Sequence, residues 1–469
     1  MKILLLITLC SYLYSVPFDG YTLISEVPNP NLDTYKTYLV DNDNNMINEW
    51  SHNYRPLSIS YLNSDSTLIT AYNSLNDDSL LNNVSAIYNK MTWDSNIIWQ
   101  YELSDSICLP HHDISILPNG NILSICTEFK NQDEALNMGY DQQPDSLFGF
   151  DMLIEIQPIG NDSANIVWEW KSSEHLIQNI SLNLINYGLI EDHPELLDIN
   201  MPFNISSTSD WLHMNCISYN SLLDQIVLSA RFSSEFYVID HSTTIEESSS
   251  NSGGLYGKGG DILYRWGNPQ NYGRGTVEDK ILGAQHGVDW IPQGYLGAGN
   301  FLLFNNQHDF YGANNPNNKS AVIEIEPPLN MDGSYNIIEE SPFGPEIYSW
   351  VYIQEFFSNF QSGSFRLPNG NTLITSSADG LILEINQFGE IELTYQQYNP
   401  IRAIKYSYDY LNTDVLIGDI NNDQIINILD VVATINFVLS NDYNSLADLN
   451  LDGQVNVLDI VQLINIILN

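Results

Sequence analysis

Three histidines stand at one distance from a chain reversal. His112 lies six residues before Pro118 in "HHDISILPNG", His213 six before Tyr219 in "LHMNCISYN", and His286 six before Pro292 in "HGVDWIPQG". Arg231 lies six residues beyond Gln225, so a hairpin reversing at Tyr219 and Asn220 returns it to the level of His213. Elsewhere the corresponding positions hold Ser362 for histidine, and Thr127, Asn306 and Ser377 for arginine, all polar. These residue types suit chemistry on an anion. A neutral imidazole nitrogen is a nucleophile near neutral pH and a good leaving group once it carries a transferred group. An arginine and further histidines supply donors to charge that develops on oxygen, and one histidine can move a proton. Metal binding by three histidines is the competing reading, and an arginine at the same level disfavours it by repelling a cation. A lone histidine in a repeat fold is commonly structural. Three in phase, beside an arginine in a chain with 15 basic residues, point to a site.

A shared phase requires repeated elements. "HHDISILPNGNILSICTE", "QHGVDWIPQGYLGAGNFLLFNNQ" and "SGSFRLPNGNTLITSSADG" each read as an alternating strand, a Pro-x-Gly turn and a returning strand. A third alternating run follows each: "DMLIEIQP", "AVIEIEPP" and "GLILEINQFG". "ANIVWEW" and "EIYSWVY" supply fourth runs. "DWLHMNCISYNSLLDQIVLSARFSSEFYVID" through "GDILYRWGNP" repeats the plan, "RPLSISYLNSDSTLITAYN" begins a weaker copy, and "GYTLISE" begins a fragmentary first one. About six units of roughly 40–70 residues, each with up to four short strands, predict an all-β, six-bladed β-propeller. In a propeller the first strand of every blade lines the central channel, so His112, His213, His286 and Arg231 are expected to converge at one channel mouth.

The same segments, with "GGDILYRWGNPQNYGRG", together resemble the bacterial arylsulfate sulfotransferases over about residues 50–400. The resemblance implies a six-bladed propeller that moves a sulfuryl group from an aryl sulfate donor to a phenolic acceptor. It implies a sulfated histidine intermediate and no phosphoadenosine phosphosulfate. By motif, His286 is the implied nucleophile, and His112, His213 and Arg231 are the implied sulfate-binding residues. Trp211, Trp290 and Phe304 lie near the motifs and are candidates to hold the aryl ring, against a bland reading as core. Asp261 and Arg265 read as organisers of a blade edge. Two alternatives stay open on the residues alone: a non-catalytic propeller binding a sulfated or acidic glycan, and a propeller polysaccharide lyase.

Composition bounds the partners. Acidic residues outnumber basic ones 58 to 15 for a net charge of −43, which excludes a phosphate-binding face for nucleic acid. "GLYGKGGD" lacks the spacing of a phosphate loop and "LGAGNF" the third glycine of a dinucleotide fingerprint, so no nucleotide cofactor is expected. "MKILLLITLCSYLYS" reads as a signal peptide over residues 1–15 and predicts export to the periplasm, cell surface or medium. No later run is long and apolar enough for a membrane span. The mature chain keeps Cys108, Cys126 and Cys216, of which at least one is unpaired.

The propeller domain is expected over residues 16–402, a Tyr-rich linker over 403–416 and a separate module over 417–469. In that module "DINNDQIINILD" and "DLNLDGQVNVLD" are duplicated calcium loops. Oxygen side chains fall at positions 1, 3, 5, 9 and 12: Asp419, Asn421, Asp423, Asn427 and Asp430, then Asp448, Asn450, Asp452, Asn456 and Asp459. A hard cation takes such a cage of oxygens. Each loop feeds an apolar helix. The segment resembles type I dockerin modules, which implies calcium and a protein partner. It departs in having Gln424 where the second loop has Gly453, and apolar pairs, Ile428–Leu429 and Val457–Leu458, at positions 10 and 11.

Overall fold

The computed structural model describes residues 16–27, 35–73, 86–103, 108–202, 207–312, 314–411, 418–421, 425–440, 443–444, 446–450 and 454–468. The signal-peptide segment, Asp423 and Asp452 lie outside the described residues. The chain divides into two compact units after Ser407.

The larger unit is a six-bladed β-propeller of antiparallel sheets. Blade 2 is built on Leu68–Asn73, Ala86–Met91 and Ile97–Leu103, with an inner strand broken into Arg55–Pro56 and Tyr61–Leu62. Blade 3 runs Leu109–Ile116, Ile122–Asn131, Leu147–Ile159 and Ser163–Lys171. Blade 4 runs Met214–Asn220, Gln225–Ala230, Glu235–Asp240 and Tyr264–Trp266. Blade 5 runs His286–Trp290, Phe301–Asp309, Lys319–Ile325 and Trp350–Ile353. Blade 6 runs Gly363–Arg366, Thr372–Ser376, Leu381–Ile385 and Ile391–Tyr395.

Blade 1 closes the ring. Its innermost strand, Pro400–Ser407, comes from the far end of the domain and pairs with Gly20–Glu26 in the register Thr22 to Lys405. Residues 403–407, assigned to the linker on composition, are therefore part of this strand, because their alternation serves a sheet begun some 380 residues earlier. The strands Tyr35–Val40 and Met46–His52 complete the blade.

Neighbouring blades seal against each other through apolar clusters, five of which follow the ring from blade 2 round to blade 1. Tyr88, Trp99, Ile114 and Ile154 join blades 2 and 3; Phe148, Phe150, Trp211, Ile226 and Tyr237 join 3 and 4. Phe236, Tyr264, Trp290 and Phe301 join 4 and 5, Phe304, Phe356, Ile374 and Leu383 join 5 and 6, and Ile24, Leu373 and Ala403 join 6 and 1. Each such side chain contributes roughly 1.5–3 kcal/mol by leaving water.

The Pro-x-Gly turns also bind the ring at the end opposite the histidines. Gly120 and Gly370 take φ of 83° and 87°, which costs glycine nothing. The asparagine after each turn then reaches the glutamate of the third strand: Asn121 donates to Glu155, and Asn371 to Glu384 at 2.6 Å. Asn300 does the same to Glu324 in blade 5 at 2.6 Å. The glutamate's other oxygen takes a cation from the next blade: His241 for Glu155 at 2.9 Å, Arg366 for Glu324, and Lys405 for Glu384 at 2.6 Å. The repeated Asn and Glu of the sequence are thus a blade-to-blade clasp. On the channel axis Arg402 is a second tie, donating to Asp113 at 2.6 Å, to Tyr61 at 3.2 Å and to Cys216 at 3.1 Å, with Phe365 beneath its guanidinium. Five inner strands meet there.

The smaller unit holds two helices, Ile428–Ser440 and Val457–Leu468, packed through Val431 and Leu463 with Ile420 and Ala447. Each starts at the end of its loop, and the two closing aspartates are held alike. Asp430 accepts the backbone N–H groups of Ile420 and Asn421 on one oxygen and of Asn427 on the other. Asp459 accepts those of Leu449, Asn450 and Asn456 in the same way.

Candidate active site

Each inner strand of blades 3, 4 and 5 enters the channel through a register slip. The slips fall between Ser124 and Cys126 against His111–Asp113, between Met214 and Cys216, and between His286 and Asp289. Such bulges re-aim side chains. His112 and His213 both take φ of 55°, a left-handed conformation that costs a non-glycine residue about 1–3 kcal/mol and marks a held position.

The four residues picked out by phase lie together. The rings of His112 and His213 meet edge to face at a centroid distance of 4.5 Å. The Arg231 backbone N–H donates to the His213 carbonyl at 3.2 Å, so the arginine returns to the histidine's level as the hairpin count requires. His286 feels the charges of both Arg231 and His213. Of the candidate ring-holders, Trp211, Trp290 and Phe304 are all core residues of the blade interfaces, so the expectation that they hold a substrate ring is replaced by the bland reading. Arg265 is fully buried in a two-pronged pair with Glu235, at 2.8 and 2.6 Å, and Asp261 binds His175 at 2.8 Å. Both are structural.

His286 is the most constrained. Its Nδ1 lies 2.8 Å from Asn306 Oδ1 and 3.1 Å from the Ala284 carbonyl. Asn306 Nδ2 donates to the carbonyls of Ser358 and Gln361 at 2.9 and 3.1 Å, which sets the amide's orientation. Oδ1 must then accept, so His286 carries its proton on Nδ1 and presents a lone pair on Nε2. Burial, reinforced by Arg231 and His213, pushes the His286 pKa down to about 3 against the opposing bonds from Asn306 and Ala284. The ring is neutral at any physiological pH. Gln285, just before it, is anchored across the blade interface by donating to Ala230 O at 3.0 Å and Glu235 O at 2.7 Å, and Asn215 donates to the Gln285 carbonyl at 2.8 Å.

The other groups are paired on one side only. His213 Nδ1 lies 2.6 Å from Asp210 Oδ2. Burial pushes the Asp210 carboxyl up, but the hydrogen bond and charge of His213 outweigh it and leave the pKa below the usual carboxylate range. His112 Nδ1 shares a proton with His111 Nδ1 at 2.8 Å, and His111 Nε2 lies 3.2 Å from Asp151 Oδ1, off the line of a hydrogen bond. Burial, then His213, His111, His286 and Arg231, hold the His112 pKa well below the imidazole range.

Arg231 differs from the protein's other buried arginines. Arg265, Arg366 and Arg402 each hold a carboxylate, whereas Arg231 makes no ion pair among the described residues and its buried Nε has no hydrogen-bond partner. Its guanidinium lies over the Phe232 ring at 5.3 Å. Burial lowers its pKa, with Asp210 opposing. A buried guanidinium with no carboxylate partner, beside the neutral rings of His112 and His286, suits an anion. Among the described residues no group of three or more histidine, cysteine or acidic side chains is arranged to hold a metal ion.

Asp210, Asn306, His111, Asn215 and Gln285 went unassigned on sequence. Asp210 had a signal, three residues before His213 in "SDWLH"; Asn306 had one too, as the residue in phase with Arg231 on blade 5. Cys108, Cys126 and Cys216 are all unpaired and buried.

The fold is a propeller whose channel mouth gathers His112, His213 and His286 around Arg231. The chain is a member of the arylsulfotransferase (ASST) family, which matches residues 38–413, and membership marks it as a sulfotransferase. Residues 417–468 match the type I dockerin domain, a module that typically binds calcium and takes a cohesin as partner. No curated protein matches the chain. Among solved structures it is similar to a protein of unknown function from Bacteroides caccae (TM-score 0.44, 10% identity, 82% of this chain and 98% of that one). It is also similar to the periplasmic gluconolactonase of Pseudomonas aeruginosa (TM-score 0.41, 11% identity, 82% and 99%). A third is virginiamycin B lyase from Staphylococcus aureus (TM-score 0.33, 10% identity, 80% and 87%). These likenesses are too distant to bear on function. No described helix is long and apolar enough to cross a membrane.

Proposed function

We propose that the enzyme moves a sulfuryl group from an aryl sulfate to a phenol through a sulfated His286, with no nucleotide donor. The observation that carries this reading is the unpaired Arg231 guanidinium beside a neutral His286 whose Nε2 lone pair is free. In the first step Nε2 attacks sulfur, an N–S bond forms, the S–O bond to the aryl group breaks, and the phenolate leaves. Arg231, His112 and His213 donate to the sulfuryl oxygens. A proton from the His213–Asp210 pair neutralises the phenolate. In the second step an acceptor phenol gives its proton to the same pair and its oxygen attacks sulfur. The N–S bond breaks and its electrons return to Nε2. The low basicity of His286 makes it a good leaving group, which suits a group that must be passed on.

Support for calcium in the tail comes from its donor set. The Asp430 and Asp459 carboxylates are fully buried and, among the described residues, are held by backbone N–H groups and no cation. Asp419, Asn421, Asn427 and Asp430, then Asp448, Asn450, Asn456 and Asp459, with Asp423 and Asp452, would supply the oxygens a hard cation takes. The signal-peptide pattern read over residues 1–15 and the dockerin match support a secreted or periplasmic enzyme with a protein partner for its tail.

The test is release of 4-nitrophenol from 4-nitrophenyl sulfate with and without phenol. Acceptor-dependent release is expected, falling on the order of 10²–10³ in Arg231→Ala as for loss of an oxyanion donor. Release that ignores the acceptor, or an unimpaired Arg231→Ala enzyme, would refute it.

A further inference from the structure

The channel mouth has two unlike halves. Blades 3, 4 and 5 supply His112, His213, Arg231 and His286. At the same end, the connections of blades 5 and 6 supply aromatic rings instead. Phe310 and Tyr311 follow the strand Phe301–Asp309, and the loop between Trp350–Ile353 and Gly363–Arg366 carries Phe357 and Phe360. Phe310, Tyr311 and Phe360 are 44%, 63% and 39% exposed, and the Phe310 and Phe357 rings stack at 6.4 Å and 23°. Aromatic rings left in water on, or stacked against, a loop that bonds Asn306 mark a surface that something covers.

This half is tied to the reacting group. The carbonyls of Ser358 and Gln361, each one residue from a ring-bearing phenylalanine, are the acceptors that orient Asn306, and Asn306 sets the His286 proton. The loop is also tied down by hydrogen bonds. Ser358 N donates to Ser320 Oγ at 3.0 Å, Ser358 and Ser362 hydroxyls donate to the Phe360 carbonyl at 2.7 and 3.2 Å, and Phe357 N donates to Asp379 at 3.1 Å. The rings are therefore presented by a backbone already in place, which spares ordering entropy on binding.

From this juxtaposition we propose that Phe310, Tyr311, Phe357 and Phe360 are the platform for the aryl ring of the donor and, after it leaves, of the phenolic acceptor. The inference rests on the transfer reading for the identity of the ligand. An aryl sulfate is anionic at one end and flat and apolar at the other, and it matches a mouth divided in the same way. The platform sets which phenols are used, while the ionic half takes only the sulfuryl group.

The two halves can be probed separately, without turnover. Calorimetry measures 2-naphthol, a neutral phenol, and inorganic sulfate binding to the full-length protein and to Phe360→Ala and Tyr311→Ala. Both positions are solvent-facing, so their thermal midpoints serve as the folding control. Loss of one ring contact is expected to weaken 2-naphthol about tenfold and to leave sulfate within about twofold. Unchanged 2-naphthol affinity, equal weakening of both ligands, or no 2-naphthol binding by the wild-type protein would overturn the proposal. If 2-naphthol binding falls as expected but the enzyme transfers no sulfuryl group, the platform stands and the transfer reading fails.

Discussion

Asn306→Ala separates positioning of the nucleophile from binding of the anion. Asn306 touches no anion; it accepts from His286 Nδ1 and donates to Ser358 and Gln361 carbonyls. While His286 is neutral, the bond is worth about 0.5–1.5 kcal/mol, and once Nε2 carries the sulfuryl group the ring is cationic and the bond is worth about 1.5–3 kcal/mol. The difference, roughly 1–1.5 kcal/mol, is stabilisation realised only on the way to the intermediate and is worth about fivefold to fifteenfold in rate. Removing Asn306 also frees the proton to move to Nε2, where it blocks attack, and a wrong tautomer costs up to about 10⁴ in a serine protease triad. With the Ala284 carbonyl still 3.1 Å from Nδ1, the expected loss is about tenfold to a hundredfold in kcat, with KM for the donor little changed. Three lost hydrogen bonds should also cost roughly 2–4 kcal/mol of stability. Steady-state release of 4-nitrophenol, with the thermal midpoint as folding control, measures both. A folded variant with kcat within a factor of about two of wild type would refute the tautomer argument.

The clasp at the far end of the ring gives a pH signature. Burial opposes charge on His241, but its bonds to Asp224 at 2.7 Å and Glu155 at 2.9 Å win and raise its pKa from 6.5 to about 9. A raised folded pKa means the contribution is complete below about pH 6.5 and disappears as pH climbs through 9. The thermal midpoint should therefore fall between about pH 6 and pH 10 by an amount that His241→Gln lacks, equivalent to roughly 2–3 kcal/mol; an identical fall in the variant would contradict it. In the tail, the proposed calcium loops predict that calorimetry of the full chain shows a transition that calcium raises and a chelator lowers while the propeller transition stays. A tail transition indifferent to chelator would contradict that.

How much of this was legible depended on distance along the chain. The blades were, because each hairpin is local and its turn residues are read directly in "LPNGN". The convergence of His112, His213, His286 and Arg231 was legible because equivalent inner-strand positions share a height. Of the groups that tune them, Asn306 stood in phase on its strand but its bond to His286 was not readable, and Asp210 and the Ser358 and Gln361 carbonyls reach the site from connections whose paths no periodicity encodes. The closing strand Pro400–Ser407 was misplaced for a related reason: its partner lies at the other end of the domain. Trp211, Trp290 and Phe304 were sound as core, whereas the exposed rings of Phe310 and Phe360 sit in loops with no repeat to betray them.

The central claim is covalent, so the direct test is to trap the intermediate. Wild-type enzyme incubated with 4-nitrophenyl sulfate and no acceptor, then digested at neutral or basic pH, should carry about 80 Da, one sulfuryl group, on the peptide containing His286. His286→Asn should carry none and transfer nothing. An active His286→Asn enzyme, or an adduct that maps reproducibly to another residue, would contradict the account.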